Sequence, residues 1–215
     1  MKYIPFETFD GQRNMDIDAK LLEDAISSKE KDAIFRLYAW NPPCVSLGRN
    51  QDDSFLNREI LREKNIDVVR RLTGGRALLH DNEITYSFIC PVDYLENGQH
   101  VVSSYKEISQ ILIEKFKRLG IDLDFGTAKP VKTGFDYCML VSTGADLCYK
   151  NKKLIGSAQC RKNGYILQHG SILYDYDKAL LEEIFAEEVK GDEITTIKEI
   201  NPTITKDDII KILFS

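Results

Sequence analysis

The chain has 215 residues, with 29 Lys+Arg against 34 Asp+Glu and a formal net charge of −5. A chain of this length buries about 70% of its unfolded surface and needs no disulfide or metal to hold a core, and a composition of 43% hydrophobic and 29% charged residues excludes a wholly disordered chain. The acidic balance argues against a general nucleic-acid binder; no apolar run reaches the ~18 residues of a membrane span, and the first ten residues carry no export signal core.

Five cysteines stand at 44, 90, 138, 148 and 160. The number is odd and no pair has CxxC spacing, which argues against a zinc ribbon, a thioredoxin motif and a secreted disulfide framework. Reduced thiols and the cytoplasm are the expectation. No repeat, low-complexity tract or Pro/Gly/Ser-rich linker interrupts the chain, so one domain over residues 1–215 is expected.

Taken in order, Asn14 to Ile26 predicts a helix, with Met15, Ile17, Leu21, Leu22, Ala25 and Ile26 on one face and Asn14 as its cap. Ala33 to Trp40 predicts a strand ended by Asn41-Pro42-Pro43, Phe55 to Lys64 a short helix, and Asp67 to Arg71 a short β segment running into a glycine turn. Ile84 to Cys90 is β-branched and aromatic and predicts a strand. Ser104-Tyr105-Lys106-Glu107 has the form of a capping box, opening a helix that Gly120 closes. Asp146 to Tyr149, Lys153 to Cys160 and Tyr165 to Tyr174 predict strands, joined by turns at Asn151-Lys152 and Asn163-Gly164. Thr205 to Asp208 opens a last helix. Strands outnumber helices and cluster as hairpins, which predicts an α+β domain with a mostly antiparallel sheet.

Three segments could carry chemistry. Arg70-Arg71-Leu72-Thr73-Gly74-Gly75-Arg76-Ala77, followed by His80, combines a glycine pair that admits close backbone approach with planar donors for a carboxylate, thioester or phosphate. Composition alone favours an ordinary turn with solvated arginines, and the glycine spacing is neither a Walker A loop nor a dinucleotide fingerprint. Lys153-Leu154-Ile155-Gly156-Ser157-Ala158-Gln159 sets a lysine before a strand of small residues, against which a ligand could pack; His169-Gly170 lies in the following strand. Solvent-facing lysines and a core histidine are the plainer readings of both. Cys138 lies between Gly134 and Gly144, which reads as a loop or strand edge. A thiol near pKa ~8.5 needs a neighbouring cation to become a nucleophile, and composition leaves Cys138, Cys148 and Cys160 all open.

Together, Asn14-Met15, Ser46-Leu-Gly-Arg-Asn-Gln51, Arg70-Arg71-x-Thr-Gly-Gly75 with His80-Asp81, Thr85-Tyr-Ser87, Lys153-x-x-Gly-Ser-Ala-Gln159 and Gln168-His-Gly-Ser-Ile-Leu173 resemble the lipoate-protein ligase and octanoyltransferase family, which shares its fold with biotin-protein ligases. The resemblance runs from Asn14 to Phe214. Arg76 stands where ATP-using lipoate ligases usually carry a third glycine, and Gly74 to Tyr86 is similar to the LipM-type octanoyltransferases. Those enzymes carry a catalytic cysteine fifteen residues before the family's lysine, the spacing of Cys138 and Lys153.

The resemblance implies the biotin/lipoate ligase catalytic-domain fold, without the accessory C-terminal domain of many ligases. It implies octanoyl transfer from acyl carrier protein, through a thioester on Cys138 assisted by Lys153, to a lysine of a lipoyl domain or glycine-cleavage H protein. It also implies substrate contacts at Arg70, Arg71, Thr73, Gly74, Gly75, Arg76, Ala77, His80, Gly156, Ser157, Ala158, His169 and Gly170. No ATP, cofactor or metal is expected, nor a membrane or nucleic-acid partner; the expected state is a monomer. Leu72, Ala77, Ile155 and Ala158 are candidates for an acyl tunnel. Arg70, Arg71, Arg76, Lys150, Lys152 and Lys153 are candidates for a basic docking face. The alternatives are an ATP-dependent lipoate-protein ligase, a non-catalytic carrier binder on the same fold, and a transferase that takes octanoyl from the H protein. The Gly-Arg-Gly-Arg loop of biotin ligases is absent.

Overall fold

The computed structural model describes residues 1–126, 137–140, 146–186 and 193–215. Its elements run β1 (Lys2–Phe9), α1 (Gly11–Ser28), β2 (Ile34–Trp40), β3 (Cys44–Leu47), α2 (Arg58–Glu63), β4 (Asp67–Arg70), β5 (Leu78–His80) and β6 (Glu83–Pro91). They continue with α3 (Val101–Lys117), β7 (Asp124–Phe125), β8 (Leu147–Tyr149), β9 (Lys152–Lys162), β10 (Tyr165–Leu173), α4 (Lys178–Phe185), α5 (Ile197–Ile200) and α6 (Lys206–Leu213). A seven-stranded sheet has the order β1-β2-β6-β10-β9-β8-β7, antiparallel except for the β1–β2 pair. A three-stranded sheet, β4-β3-β5, stands beside it. The architecture is α+β with a mostly antiparallel sheet.

The central strands of the large sheet, β2, β6 and β10, are buried on both faces, and the alternation along β2 shows how. Phe35 and Leu37 join the main core, where Ile108, Leu112 and Phe116 of α3, Leu181 and Ile184 of α4 and Ile209 of α6 pack. Ile34, Tyr38 and Trp40 face the other way, toward Met15, Leu22 and Ala25 of α1. A strand covered on both sides carries apolar residues at both parities, which is why β2 reads as a continuous run.

Several boundaries differ from the sequence reading. Asp10 caps α1, accepting from the Arg13 N–H at 2.9 Å. Asn14 is instead buried inside it, donating to the carbonyls of Phe9 and Ala39 at 3.1 and 3.0 Å. Helix α3 begins at Val101 and not at a Ser104 box. Glu107 is held by the N–H groups of Glu96 and Asn97, both 2.8 Å away, because the chain before the helix folds back over its first turns. The α3 cap residue is Arg118, and Gly120 (φ 75°) makes the turn that follows. The first hairpin turn is Lys150-Asn151 (φ 47° and 67°), so β9 starts one residue earlier than expected. The Asn163-Gly164 turn has the two positive φ values (49° and 79°) of the expected type. Thr205 and Asp208 form the expected capping box of α6.

Candidate active site

Strand β9 delivers the lysine. The β8–β9 pairing shifts register between Leu147↔Ile155 and Cys148↔Lys153, a bulge that lets the consecutive residues Lys153 and Leu154 both turn inward. The Lys153 backbone is fixed on its other edge, its N–H on the Glu193 carbonyl (2.9 Å) and its carbonyl on the Thr195 N–H (3.0 Å). Its side chain is 1% exposed, and Nζ lies 3.0 Å from Asp146 Oδ2, 3.0 Å from the Cys138 carbonyl and 3.9 Å from Cys138 Sγ. Burial acts to lower the Lys153 pKa, but the neighbouring Cys138 and Asp146 outweigh it and hold the ammonium above the ordinary lysine value. A permanent cation beside a sulfur stabilises negative charge on it.

Cys138 opens a short 3-10 turn, Cys138–Leu140, and its N–H donates to the Ala77 carbonyl at 2.7 Å, tying the thiol to the glycine loop. The bracketing Gly134 and Gly144 lie outside the described residues, as does most of 127–142. Geometry thus separates the cysteines. Burial pushes the thiols of Cys44, Cys90 and Cys160 up, that of Cys90 to about 12, and Cys148 is buried in β8.

The two adjacent arginines part company. Arg70 is exposed and holds the carbonyls of Gly48 and Gln51 at 2.8 and 2.7 Å, outside the site. Arg71 turns inward and shapes the loop itself, with Nη1 on the Ser46 carbonyl (2.8 Å) and Nη2 on the carbonyls of Gly74 (3.0 Å) and Arg76 (2.6 Å). The Arg71 N–H bonds the Leu47 carbonyl at 3.1 Å, which carries the alternation of β4 one residue past its end, and Leu72 returns to the surface at 42% exposed. Gly75 takes φ 94° with its carbonyl packed against Gly48, a conformation and an approach that a side chain on either residue would obstruct. Thr73 is buried, its hydroxyl 2.7 Å from His169 Nε2; His169 Nδ1 lies 3.4 Å from Asp18 Oδ2.

Between these parts lie a narrow cavity of about 50 Å³ and a wide cleft of about 550 Å³. Gly75, Cys138, Ser157 and Ala158 line both, so the thiol stands where one meets the other. Tyr38, Trp40 and Leu78 supply apolar walls to the cavity. Of the expected tunnel residues only Ala158 lines it; Ala77 and Ile155 belong to the core behind. The inner end is polar. Trp40 stacks on His80 at 4.0 Å and donates to Thr85 Oγ1 at 2.8 Å; Glu83 accepts from Thr85 and Ser171 at 2.8 and 2.6 Å; His80 Nε2 meets Ser46 Oγ at 2.8 Å. Burial lowers the His80 pKa, against the opposing pull of Glu83. Gly156 and Gly170 also line the cavity, and a Cβ on Gly156 would come within 3.0 Å of Lys153 Cε. Arg76 borders the cleft and not the cavity. Lys150 is exposed in the turn and Lys152 half-buried at the start of β9, neither among the described residues that line the cleft.

Sequence reasoning did not single out Asp146, Asp18, Glu83, Tyr38 or Trp40. Asp18 had a legible signal, since with Asn14 it interrupts the apolar face of α1, and a polar residue there implies a buried partner. Asp146 had none; its partner is made by the bulge. Among the described residues no group of three or more His, Cys, Asp or Glu side chains could hold a metal ion, and no helix is long and apolar enough to cross a membrane.

A cavity opening on a cysteine beside a buried lysine is an arrangement that a nucleophilic thiol requires. The family profile described as "Lipoyl protein ligase A/B catalytic domain" matches residues 10–215, and the chain belongs to that family. It is 39% identical over 183 residues to octanoyltransferase LipM of Staphylococcus aureus, a match covering 80% of this chain and 64% of that one. The chain thus spans somewhat less than two thirds of the length of that relative. Among solved structures it resembles lipoate-protein ligase A bound with ATP (TM-score 0.78, 20% identity, 99% of this chain and 81% of that chain). It also resembles a bi-partite lipoate protein ligase from Thermoplasma acidophilum, solved in a study of that ligase and its E2 lipoyl domain (TM-score 0.71, 17% identity, 100% and 82%). Both likenesses bear on the fold.

Proposed function

We propose that the chain is a protein N-octanoyltransferase that works through a thioester on Cys138. The observation that carries this is Lys153 Nζ, 3.9 Å from Cys138 Sγ at the junction of cavity and cleft, with the likeness to an octanoyltransferase in support. The Cys138 thiolate attacks the carbonyl carbon of an octanoyl thioester on acyl carrier protein. A new C–S bond forms, the donor's C–S bond breaks, and the carrier leaves as a thiolate that takes a proton from water. The neutral ε-amine of a lysine on a lipoyl domain or glycine-cleavage H protein then attacks the acyl-enzyme. The amide forms, the amine loses a proton and Cys138 returns as thiolate.

Lys153 is the charge-stabilising group in both steps, kept protonated by Asp146. Arg71, Thr73 and His169 hold the glycine loop, and the cavity takes the acyl chain. A thioester is already activated, so neither nucleotide nor metal enters the scheme. The enzyme is a monomer of the reducing cytoplasm, where the thiol stays free.

Intact-protein mass spectrometry after mixing with octanoyl-acyl carrier protein, without ATP, tests this. The expected result is one octanoyl adduct, released by hydroxylamine and absent in Cys138→Ala. No adduct on the wild type, or an adduct unchanged in the variant, would overturn the mechanism. Free lipoate with ATP then tests the ligase reading, and H protein as donor tests the other transferase.

A further inference from the structure

Two of the most exposed large apolar side chains are adjacent: Val101 at 53% and Val102 at 67%, in the first turn of α3. They border the wide cleft that ends at Cys138. The amphipathic pattern of α3 does not account for them, since its core face is made by Ile108, Leu112 and Phe116.

This lip is rigidly built. Arg161 of β9 donates to the carbonyls of Gly98 and Gln99 at 2.6 and 3.0 Å and to Ser104 Oγ at 2.7 Å. Glu107 accepts from the N–H groups of Glu96 and Asn97. The segment leading into α3 is thus clamped to the sheet and to the helix, and the valines are presented outward from a fixed support. The packing of α3 supplies no reason for an exposed apolar pair held this way.

Asp93 and Glu96 are exposed in the segment leading into α3, but among the described residues that line the cleft the charges that are not buried have one sign. Arg76 and Lys106 border the cleft, with the Lys106 ammonium 5.7 Å from the Phe125 ring. The one carboxylate among the described lining residues is Asp146, buried and ion-paired with Lys153. The first turn of α3 carries no acidic residue. On a chain of net charge −5, two cations at the cleft mouth beside an apolar ridge are complementary to an acidic protein with a small apolar patch. The cleft behind it, about 550 Å³, offers far more room than the four methylenes of an acceptor lysine fill and suits a longer thioester-bearing arm.

We propose that the Val101–Val102 lip, with Lys106 and Arg76, is the docking surface for the acidic carrier protein that brings the octanoyl group on a flexible thioester arm. This rests on the transfer reading above.

The test pairs binding with chemistry. Binding of fluorescently labelled octanoyl-acyl carrier protein to Cys138→Ala is followed by anisotropy, alone and with Val102→Asp or Lys106→Glu added. Acylation of Cys138 by octanoyl-N-acetylcysteamine, which has no protein to dock, is followed by mass spectrometry in the corresponding variants that keep the thiol; the mild Val102→Ser variant controls for folding. The expected result is a Kd raised about tenfold or more by either charge-altering change, weakened further by salt, with small-thioester acylation altered by less than about twofold. An unchanged Kd would overturn the docking surface while leaving the transfer reading intact. A parallel loss with both donors would overturn it as well, by showing damage to the site. A wild type that accepts octanoyl from neither donor would overturn the transfer reading, and this proposal with it.

Discussion

Two buried ion pairs of nearly identical geometry serve this molecule differently. Arg36 and Asp18 meet at 2.8 Å with side chains 2% and 3% exposed; Lys153 and Asp146 meet at 3.0 Å with side chains 1% and 3% exposed. Arg36 also reaches the Asn14 backbone and side chain, while Tyr38 and His169 share the other Asp18 oxygen. That pair fastens α1 to the sheet and borders neither cavity nor cleft. Lys153 and Asp146 border the cleft beside Cys138. Burial and pairing are common to both, so neither property identifies a reactive site. What separates them is a sulfur within reach of one cation and the open space in front of it.

The largest effect is expected at Lys153. Lys153→Ala slows Cys138 acylation by ~10³-fold, on the scale of removing a charge-stabilising donor. It also costs about 3 kcal/mol of stability, because a buried ion pair with Asp146 is broken. Single-turnover mass spectrometry and urea unfolding measure the two.

Arg36→Ala is expected to lose a similar 3–5 kcal/mol, roughly, in the same unfolding experiment, while each folded molecule acylates at near the wild-type rate. If its chemistry falls as far as that of Lys153→Ala, the division between the two pairs is wrong.

Acid and alkali separate the pairs further. Burial alone would raise the Asp18 pKa, but the His169 hydrogen bond and the Arg36 charge hold it below the ordinary 3.8. Its contribution to stability is therefore full above that value and is lost as the pH falls through the lower folded one. Lys153 has the opposite sign, its contribution full below 10.5 and lost as the pH rises through its higher folded value. Thermal melts of Asp18→Asn should show a flatter acid limb than the wild type and an unchanged alkaline limb.

The smallest effect is expected at the exposed pair Lys20–Asp24, at 2.9 Å on α1. Lys20→Ala should alter the unfolding free energy by about 0.5 kcal/mol or less, since solvent screens the pair. A larger change would mean that pairing, and not burial, carries the energy of the other two.

The sequence made the local signals plain and the long-range ones obscure. Asn163-Gly164 gave the β9–β10 turn, and Thr205 with Asp208 gave the start of α6, because both are chemistry within four residues. Strand β1 was missed. It is an edge strand, mostly exposed, whose partner β2 lies beyond the whole of α1, so no hairpin turn announces it. Strand β3 was missed because four buried residues are too few to show a period. The Ser104 box misled because Glu107, the residue type a cap needs, is engaged by the fold-back at 96–97 instead.

By itself, the sequence determined which groups are available: a glycine loop flanked by arginines, a lysine ahead of small residues in a strand, and free thiols without ligand spacing. The tertiary structure decided which of them meet. Arg71 and not Arg70 enters the site because the alternation of β4 continues one residue past its end, where the Arg71 N–H still bonds the Leu47 carbonyl. The β8–β9 bulge turns Lys153 inward. Cys138 comes within reach of it because its N–H is tied to the Ala77 carbonyl, a contact that spans the chain from the glycine loop. These are distances set by sheet register and by hydrogen bonds between remote segments, and residue spacing along a chain does not contain them.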